Sequence, residues 1–254
     1  MLLHLSDLHF GTEKPECLIA IQQFCRDHPI EAIAVSGDLT QRARFLQFLS
    51  CQYFLERLNL PYLVVPGNHD IPLYHVFNRV FSPFARYQAF FGALEGVLET
   101  EHFYLLGVNS IRRRHHTKGH ISLAQIQEID ARLRSAPAHK LKIVVVHQPF
   151  YTSPEDGHAV KDCPVLGRMA LEIWGQQGLF GLLHGHLHQT AYYDLNRIYQ
   201  LGLDHPVFEI HAGTATSHRL RKGQPNSFNV VTIEGGLQHY VFDVQSREFI
   251  RQPS

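Results

Sequence analysis

Five short apolar runs along the chain each end in polar residues that can bind a metal. Leu2-Leu3-His4-Leu5 leads into Ser6-Asp7-Leu8-His9, Ala32-Ile33-Ala34-Val35 into Ser36-Gly37-Asp38, and Tyr62-Leu63-Val64-Val65 into Pro66-Gly67-Asn68-His69-Asp70. Ile143-Val144-Val145-Val146 leads into His147, and Gly181-Leu182-Leu183 into His184-Gly185-His186-Leu187-His188. Short apolar runs bounded by Gly and Pro read as buried strands. Each delivers its polar group at a carboxyl end, where α/β sheets carry their sites.

Helical spacing fills the gaps between these runs. Pro15 to His28 places Leu18, Ile21 and Phe24 on one face, and Thr40 is read as the cap of a helix from Gln41 to Leu58 with Phe45, Phe48, Leu49 and Leu55 inward. Ser122 to Ser135 carries Leu123, Ile126, Ile129 and Leu133, and Asp162 to Gln177 holds a fourth helix. From Thr190 onward the pattern changes to short strands and turns, with strands expected at Val207 to Ile210, Phe228 to Glu234 and Gln238 to Val244. Alternating elements early and consecutive strands late predict an α/β fold of two packed sheets flanked by helices. With 254 residues and no break of linker composition, the chain reads as one domain, 1–254.

Composition removes several classes of partner. Lysine and arginine balance aspartate and glutamate at 23 each, so no charge argument supports nucleic-acid binding. No run approaches the ~18 apolar residues of a membrane span. The first strand begins at Leu2, with no room for a signal peptide before it, so a cytoplasmic location is expected. The four cysteines show no C-x-x-C spacing and imply neither a disulfide framework nor a zinc ribbon. Histidine is frequent, at 19 residues; only five are needed at the site, so most of the excess is expected at the surface.

The ligand candidates are Asp7, His9, Asp38, Asn68, His147, His186 and His188. Residues i and i+2 of an extended segment face one side, so Asp7 with His9 and His186 with His188 are expected to converge in pairs. Imidazole, carboxylate and amide donors without cysteine suit manganese, iron or zinc. Two ions roughly 3.5 to 4 Å apart need an anion between them, and Asp38, alone on its turn, is the natural bridge. Gly37, Gly67 and Gly185 stand where backbone must turn or approach closely.

The order D-x-H, G-D, G-N-H-D, a single His and G-H-x-H resembles the calcineurin-like metallophosphoesterase superfamily, and the blocks run from Asp7 to His188 without substitutions. The resemblance implies a β-sandwich with helices outside. It implies one metal held by Asp7, His9 and His188, a second by Asn68, His147 and His186, and Asp38 between them. His69 would be the catalytic histidine facing the substrate, with Asp70 as its orienting partner. A hydroxide held between the two divalent metals would attack phosphorus in line with the leaving oxygen.

Leu-Ser-Asp-Leu-His-Phe, Ser-Gly-Asp-Leu-Thr and Val-Pro-Gly-Asn-His-Asp-Ile-Pro are most similar to the bacterial class III cyclic nucleotide phosphodiesterase branch. That similarity implies a small phosphodiester substrate, a 3′,5′-cyclic nucleotide, opened to the 5′-monophosphate. Two other readings stand beside it. The H-G-H-x-H ending also resembles the UDP-2,3-diacylglucosamine pyrophosphatases, although that branch carries Arg where this chain has His69. A partner-binding scaffold of the same fold is the third, and such scaffolds lose ligands that are all present here.

Several segments keep two readings. Residues 71–96 hold Tyr74, Phe77, Phe81, Phe84, Tyr87, Phe90 and Phe91 and form either an aromatic helical cap, or lipid-facing surface, or ordinary core, the reading such a stripe favours. Arg112 to His116 either attracts phosphate or is a solvated loop, and His211 to Ser217, followed by Arg219 and Arg221, either lines the site or packs tightly. His4 is expected in the core. His184 is expected to be structural, with orientation of a ligand as the alternative.

Overall fold

The computed structural model describes residues 1–73, 76–156, 159–221 and 223–253. In chain order its elements are β1 (Leu2–Leu5), α1 (Pro15–Asp27), β2 (Ala32–Val35), α2 (Phe45–Arg57), β3 (Tyr62–Val64), α3 (Val76–Phe81), α4 (Ala85–Phe91), β4 (Gly96–Glu99) and β5 (Phe103–Val108). There follow α5 (Leu123–Ser135), β6 (Leu141–Val146), α6 (Gly167–Gly175), β7 (Leu179–His184), β8 (Ala191–Asp194), α7 (Leu195–Tyr199), β9 (Phe208–His211), β10 (Ser227–Val231), β11 (Leu237–Asp243) and β12 (Glu248–Arg251). Among the described residues the strands form two six-stranded mixed sheets, ordered β12-β11-β10-β1-β2-β3 and β4-β5-β6-β7-β9-β8.

The apolar runs are continuous because both faces of their strands are covered. Leu2, Ala32, Ala34 and Val65 meet Phe103, Ile143, Val145, Leu183 and Ile210 between the sheets. The alternate residues Leu3, Leu5, Ile33 and Val35 pack outward under α1 and α2, and Leu106, Val144, Val146 and Leu182 pack outward under α5 and α6. The result is a β-sandwich flanked by helices, as predicted. Strands β1, β2 and β3 are mutually parallel, as are β5, β6, β7 and β9. The ends of β1, β2, β3, β6 and β7 carry the residues that concern us.

Three helices differ from expectation. Thr40 caps no helix; its hydroxyl accepts from Ala43 N, α2 starts at Phe45, and the carbonyl of the Gln47 side chain closes the turn on Arg42 N and Arg44 N. The inward face of α2 carries Phe48, Cys51, Phe54 and Leu55, all buried, while Phe45 and Leu49 are 59% and 44% exposed. The fourth expected helix is shortened to α6, preceded by a separate 3₁₀ turn at Ala159–Asp162. Proline at position 83 divides the aromatic segment into α3 and α4. Core packing holds for the second half, where Tyr87 is fully buried and Phe90 stacks on Phe48, but not for the first, where Phe77 and Phe81 are 72% and 71% exposed. Tyr74 lies outside the described residues.

Candidate metal centre

The donors converge by a different route from the one predicted. β1 ends at Leu5 and β7 at His184, so Asp7, His9, His186 and His188 all lie beyond the strands and owe nothing to the alternation of a pleat. Instead Asp7, His9, Asp38, His186 and His188 have φ values of 49°, 45°, 51°, 65° and 52°. Side chains other than glycine rarely adopt this left-handed conformation, and its concentration at one place marks backbone strained toward a site.

Hydrogen bonds between loops hold that strain. Asp7 N donates to Gly37 O, His9 N to Asp38 O and Phe10 N to Leu39 O, so the loops after β1 and β2 run side by side. From the far side Thr214 Oγ1 donates to Asp7 O at 2.6 Å and Thr216 Oγ1 to Leu8 O at 2.7 Å. The segment after β9 is thus tightly packed, and its packing fixes the Asp7 loop. A Cβ on Gly185 would collide with Ser6 Oγ and Asp7 Oδ2, which is why only glycine can precede His186.

Two groups of donor atoms result, sharing Asp38. Asp7 Oδ1, His9 Nε2, Asp38 Oδ2 and His188 Nε2 form the first; His9 Nε2 lies 3.7 Å from both carboxylate oxygens and His188 Nε2 3.1 Å from Asp7 Oδ1. In the second, Asn68 Oδ1 lies 3.0 Å from His147 Nε2 and 3.1 Å from His186 Nδ1, and the other oxygen of Asp38 lies 3.5 Å from His147 Nε2. A further cluster, His184, Glu209 and His211, also gathers possible ligand atoms within 4.8 Å.

The donor atoms of the shared site suit divalent cations. His9 Nε2 and His188 Nε2 face each other at 3.1 Å, and two imidazole lone pairs at that distance need a proton or a cation between them. Asp7 Oδ2 accepts from Ser6 Oγ and His186 N, while its buried Oδ1 is left facing His9 and His188 inside the donor group. The rear nitrogens of three rings are engaged elsewhere: His147 Nδ1 donates to Ser36 O, His188 Nδ1 to Arg219 O, and His186 Nε2 to Asp162 Oδ2 at 3.2 Å. Each leaves its other nitrogen as a lone pair aimed inward. Burial pushes His147 down to about 3, which keeps it a neutral donor. Burial first, then the charge of Asp7, pushes Asp38 up to about 7, so neighbouring cations are what would keep it ionised.

His69 N donates to Asp38 Oδ1, and its ring stands edge-on to His9 with centroids 4.9 Å apart. Asp70 does not touch that ring. Its carboxylate accepts from Gly67 N, Leu39 N, Thr40 N and Thr40 Oγ1, while His69 Nδ1 donates to Gln41 O at 3.0 Å. On the other side Arg219 Nη1 reaches His69 Nε2 at 3.1 Å.

Above the donors lies a cavity of about 580 Å³, lined by His69, His116, Lys161, Arg219 and Arg221 among others. His116 thus joins the cavity wall, whereas Arg112 is spent on Asn109 O, Ile111 O and the Gln125 side chain. Sequence reasoning missed Gln41 and Asp162, both read as helix residues; a carbonyl has no sequence signature, and Asp162 meets His186 across 24 positions. His4 and His184, set outside the ligand candidates, are both fully buried: His4 bonds Ser36 Oγ at 2.9 Å, and His184 lies against Glu209 rather than against a donor of the shared site. With His211 they are exceptions among the surplus histidines, of which His115, His116, His120, His139 and His218 are exposed as expected.

A sandwich of mixed sheets with nitrogen and oxygen donors gathered beyond its strand ends defines the class of α/β metal-binding proteins. Within it, the chain belongs to the calcineurin-like phosphoesterase family, whose sequence profile matches residues 1–190. The family implies a metal-dependent phosphoester hydrolase using divalent cations. No curated protein sequence matches the chain. Purple acid phosphatase PPD1 from yellow lupin, Lupinus luteus, is similar in structure with a TM-score of 0.71 at 12% identity, over 98% of this chain and 52% of the lupin one. This chain therefore spans about half the length of that enzyme. A dimetal phosphatase from Danio rerio aligns with a TM-score of 0.59 at 11% identity, over 94% and 91% of the two chains. Vacuolar Protein Sorting 29 from Cryptosporidium parvum aligns with a TM-score of 0.50 at 14% identity, over 100% and 95%. Identities this low speak for the fold alone. Among the described residues no helix is long and apolar enough to cross a membrane.

Proposed function

We propose that the chain, as one domain over 1–254, is a dinuclear phosphodiesterase that opens a 3′,5′-cyclic nucleotide to its 5′-monophosphate. The observation that carries the reading is the sharing of Asp38, one oxygen toward Asp7, His9 and His188 and the other toward His147, beside Asn68 and His186. Bound there, two divalent cations such as manganese, iron or zinc supply charge neutralisation at phosphorus and an activated water. The chain's own residues do the rest. Arg219, Arg221 and Lys161 draw a phosphate into the cavity. His69 serves the leaving oxygen. Burial depresses its basicity and Arg219 adds to that effect, so the resting ring is neutral, with Nδ1 donating to Gln41 O. An arriving phosphate engages the Arg219 guanidinium and adds negative charge beside the ring. Both changes favour a proton on Nε2, from which the leaving alkoxide can take it.

A second reading has one observation in its favour. Phe77 and Phe81 stand exposed as a tilted pair with centroids 4.7 Å apart, a surface on which an acyl chain could lie, as a UDP-2,3-diacylglucosamine-type substrate requires. The cavity walls named above are cationic and suit a polar diester better. Manganese-loaded protein assayed side by side on cyclic AMP, cyclic GMP, an aryl phosphodiester and UDP-diacylglucosamine decides between them. Preferential turnover of a cyclic nucleotide is expected, and preference for the lipid substrate would overturn the proposal.

A further inference from the structure

Beneath the loop that follows His147, three polar side chains meet on the helix-facing side of the second sheet. Parallel pairing of β7 with β9 sets His184 beside His211 and Leu182 beside Glu209. Glu209 precedes His211 by two residues and so shares its face. Leu182 packs outward with Leu106 and Val146, which places the trio on the outer face rather than between the sheets.

All three side chains are buried. His184 Nε2 lies 3.0 Å and His211 Nε2 3.9 Å from Glu209 Oε1, and the two imidazole centroids are 3.9 Å apart. Glu209 Oε1 also accepts from Phe150 N at 2.6 Å and Tyr151 N at 2.9 Å. Beyond the 3.0 Å contact of His184 with Glu209, His184 Nε2, His211 Nε2 and Glu209 Oε2 have no hydrogen-bond partner among the described residues. Buried polar atoms left in that condition are costly, and a carboxylate without a compensating cation is costlier still. Burial pushes Glu209 up to about 7, so its carboxylate resists ionising unless a cation lies beside it.

We propose that His184, Glu209 and His211 hold a divalent cation in a closed site separate from the dinuclear centre, a site that braces the fold and takes no part in hydrolysis. Two imidazoles and one carboxylate are a zinc-type donor set. Bonds of about 2.0–2.2 Å place the donors of a tetrahedral ion roughly 3.3–3.5 Å apart; the contacts of 3.0 and 3.9 Å bracket that spacing. The second oxygen of Glu209, without a hydrogen-bond partner, is free to lean on the same ion as the longer arm of a chelating carboxylate. The ion would tie together the strand end that precedes His186, strand β9, and through Phe150 and Tyr151 the loop that follows His147.

Counting zinc tests this without any reference to activity. Metal-stripped protein titrated against a chromophoric chelator is expected to take three tight equivalents per chain, and the Glu209→Gln/His211→Asn double variant two. Two or fewer equivalents in the unaltered protein, or three in a folded double variant, would overturn the proposal. Should the double variant fail to fold, the Asp38→Asn protein decides. One equivalent of cobalt(II) in it is expected to show the intense visible absorption of a four-coordinate ion, and absence of that band counts against the site.

Discussion

His69 Nδ1 donates to the carbonyl oxygen of Gln41 at 3.0 Å, while the carboxylate of the adjacent Asp70 is turned away and engaged by four donors from the loops after β2 and β3. The tautomer of the proposed catalytic ring is therefore set by backbone, and Asp70 works one step removed, by fixing the loop that supplies this carbonyl. The two roles separate in a variant. Asp70→Asn replaces an acceptor by an amide N–H facing backbone N–H groups, which costs on the order of 3 kcal/mol for a buried charged acceptor. Thermal melts are expected to show Tm lower by roughly 6–12 °C, with activity falling in parallel. A variant as stable as the parent but inactive would return the orienting role to Asp70.

His69→Ala is expected to lower kcat by about two to four decades while metal content is unchanged. The ring supplies neither group of donor atoms, and only its backbone N–H touches Asp38, which alanine retains. Loss of bound metal in this variant, measured by elemental analysis, would show that the ring is a ligand.

Asp38→Asn separates bridging from mere proximity. Both oxygens of Asp38 face donors, Oδ2 toward His9 and Oδ1 toward His147. An amide presents one oxygen and no charge, so both cations are expected to weaken together. Retention of two tightly held metals in the shared centre would refute the bridge.

How much of this was legible in the chain depends on the range of each interaction. The strand runs and the polar residues ending them are local, and β1, β2, β3, β6 and β7 lie where the apolar residues place them. The left-handed turns at Asp7, His9 and His186 were not legible, because Asp and His only tolerate φ of 45–65° and do not require it; neighbouring loops impose it. The start of α2 was obscured by a competing local bond, Ala43 N to Thr40 Oγ1, in place of a cap. Glu209 drew no attention at all. Its meaning comes from Phe150 and His184, 59 and 25 positions away, which only the pairing of β7 with β9 brings near.

Asp162→Asn tests the support behind one ligand. Asp162 Oδ1 accepts from Thr117 Oγ1 at 2.6 Å, and Oδ2 accepts from His186 Nε2, which leaves His186 Nδ1 directed at Asn68. Removing the negative charge weakens His186 as a donor without removing it. Partners of this kind contribute about 10–100-fold in metal affinity. The second metal is expected to weaken by that factor while the first, held by Asp7, His9 and His188, is unaffected; equal affinities in a competitive chelator titration would exclude the role.

His4 sets part of the acid sensitivity of the fold. Burial pushes it from the ordinary 6.5 down to about 3, chiefly by stripping water from the charged ring. Unfolded, the ring takes a proton near 6.5; folded, it takes one only near 3. Between these values the unfolded state binds more protons, so stability falls as pH falls through that window and is fully present above it. The slope from this single ring is about 1.4 kcal/mol per pH unit. Buried His147 and His184 act in the same direction, so His4→Leu is expected to make the decline shallower without abolishing it. The comparison must be of slopes, because leucine also leaves Ser36 Oγ without its partner at every pH. Thermal melts of metal-stripped protein at pH 7 and pH 5 should show a smaller Tm difference in the variant, and an undiminished difference would place the titration elsewhere.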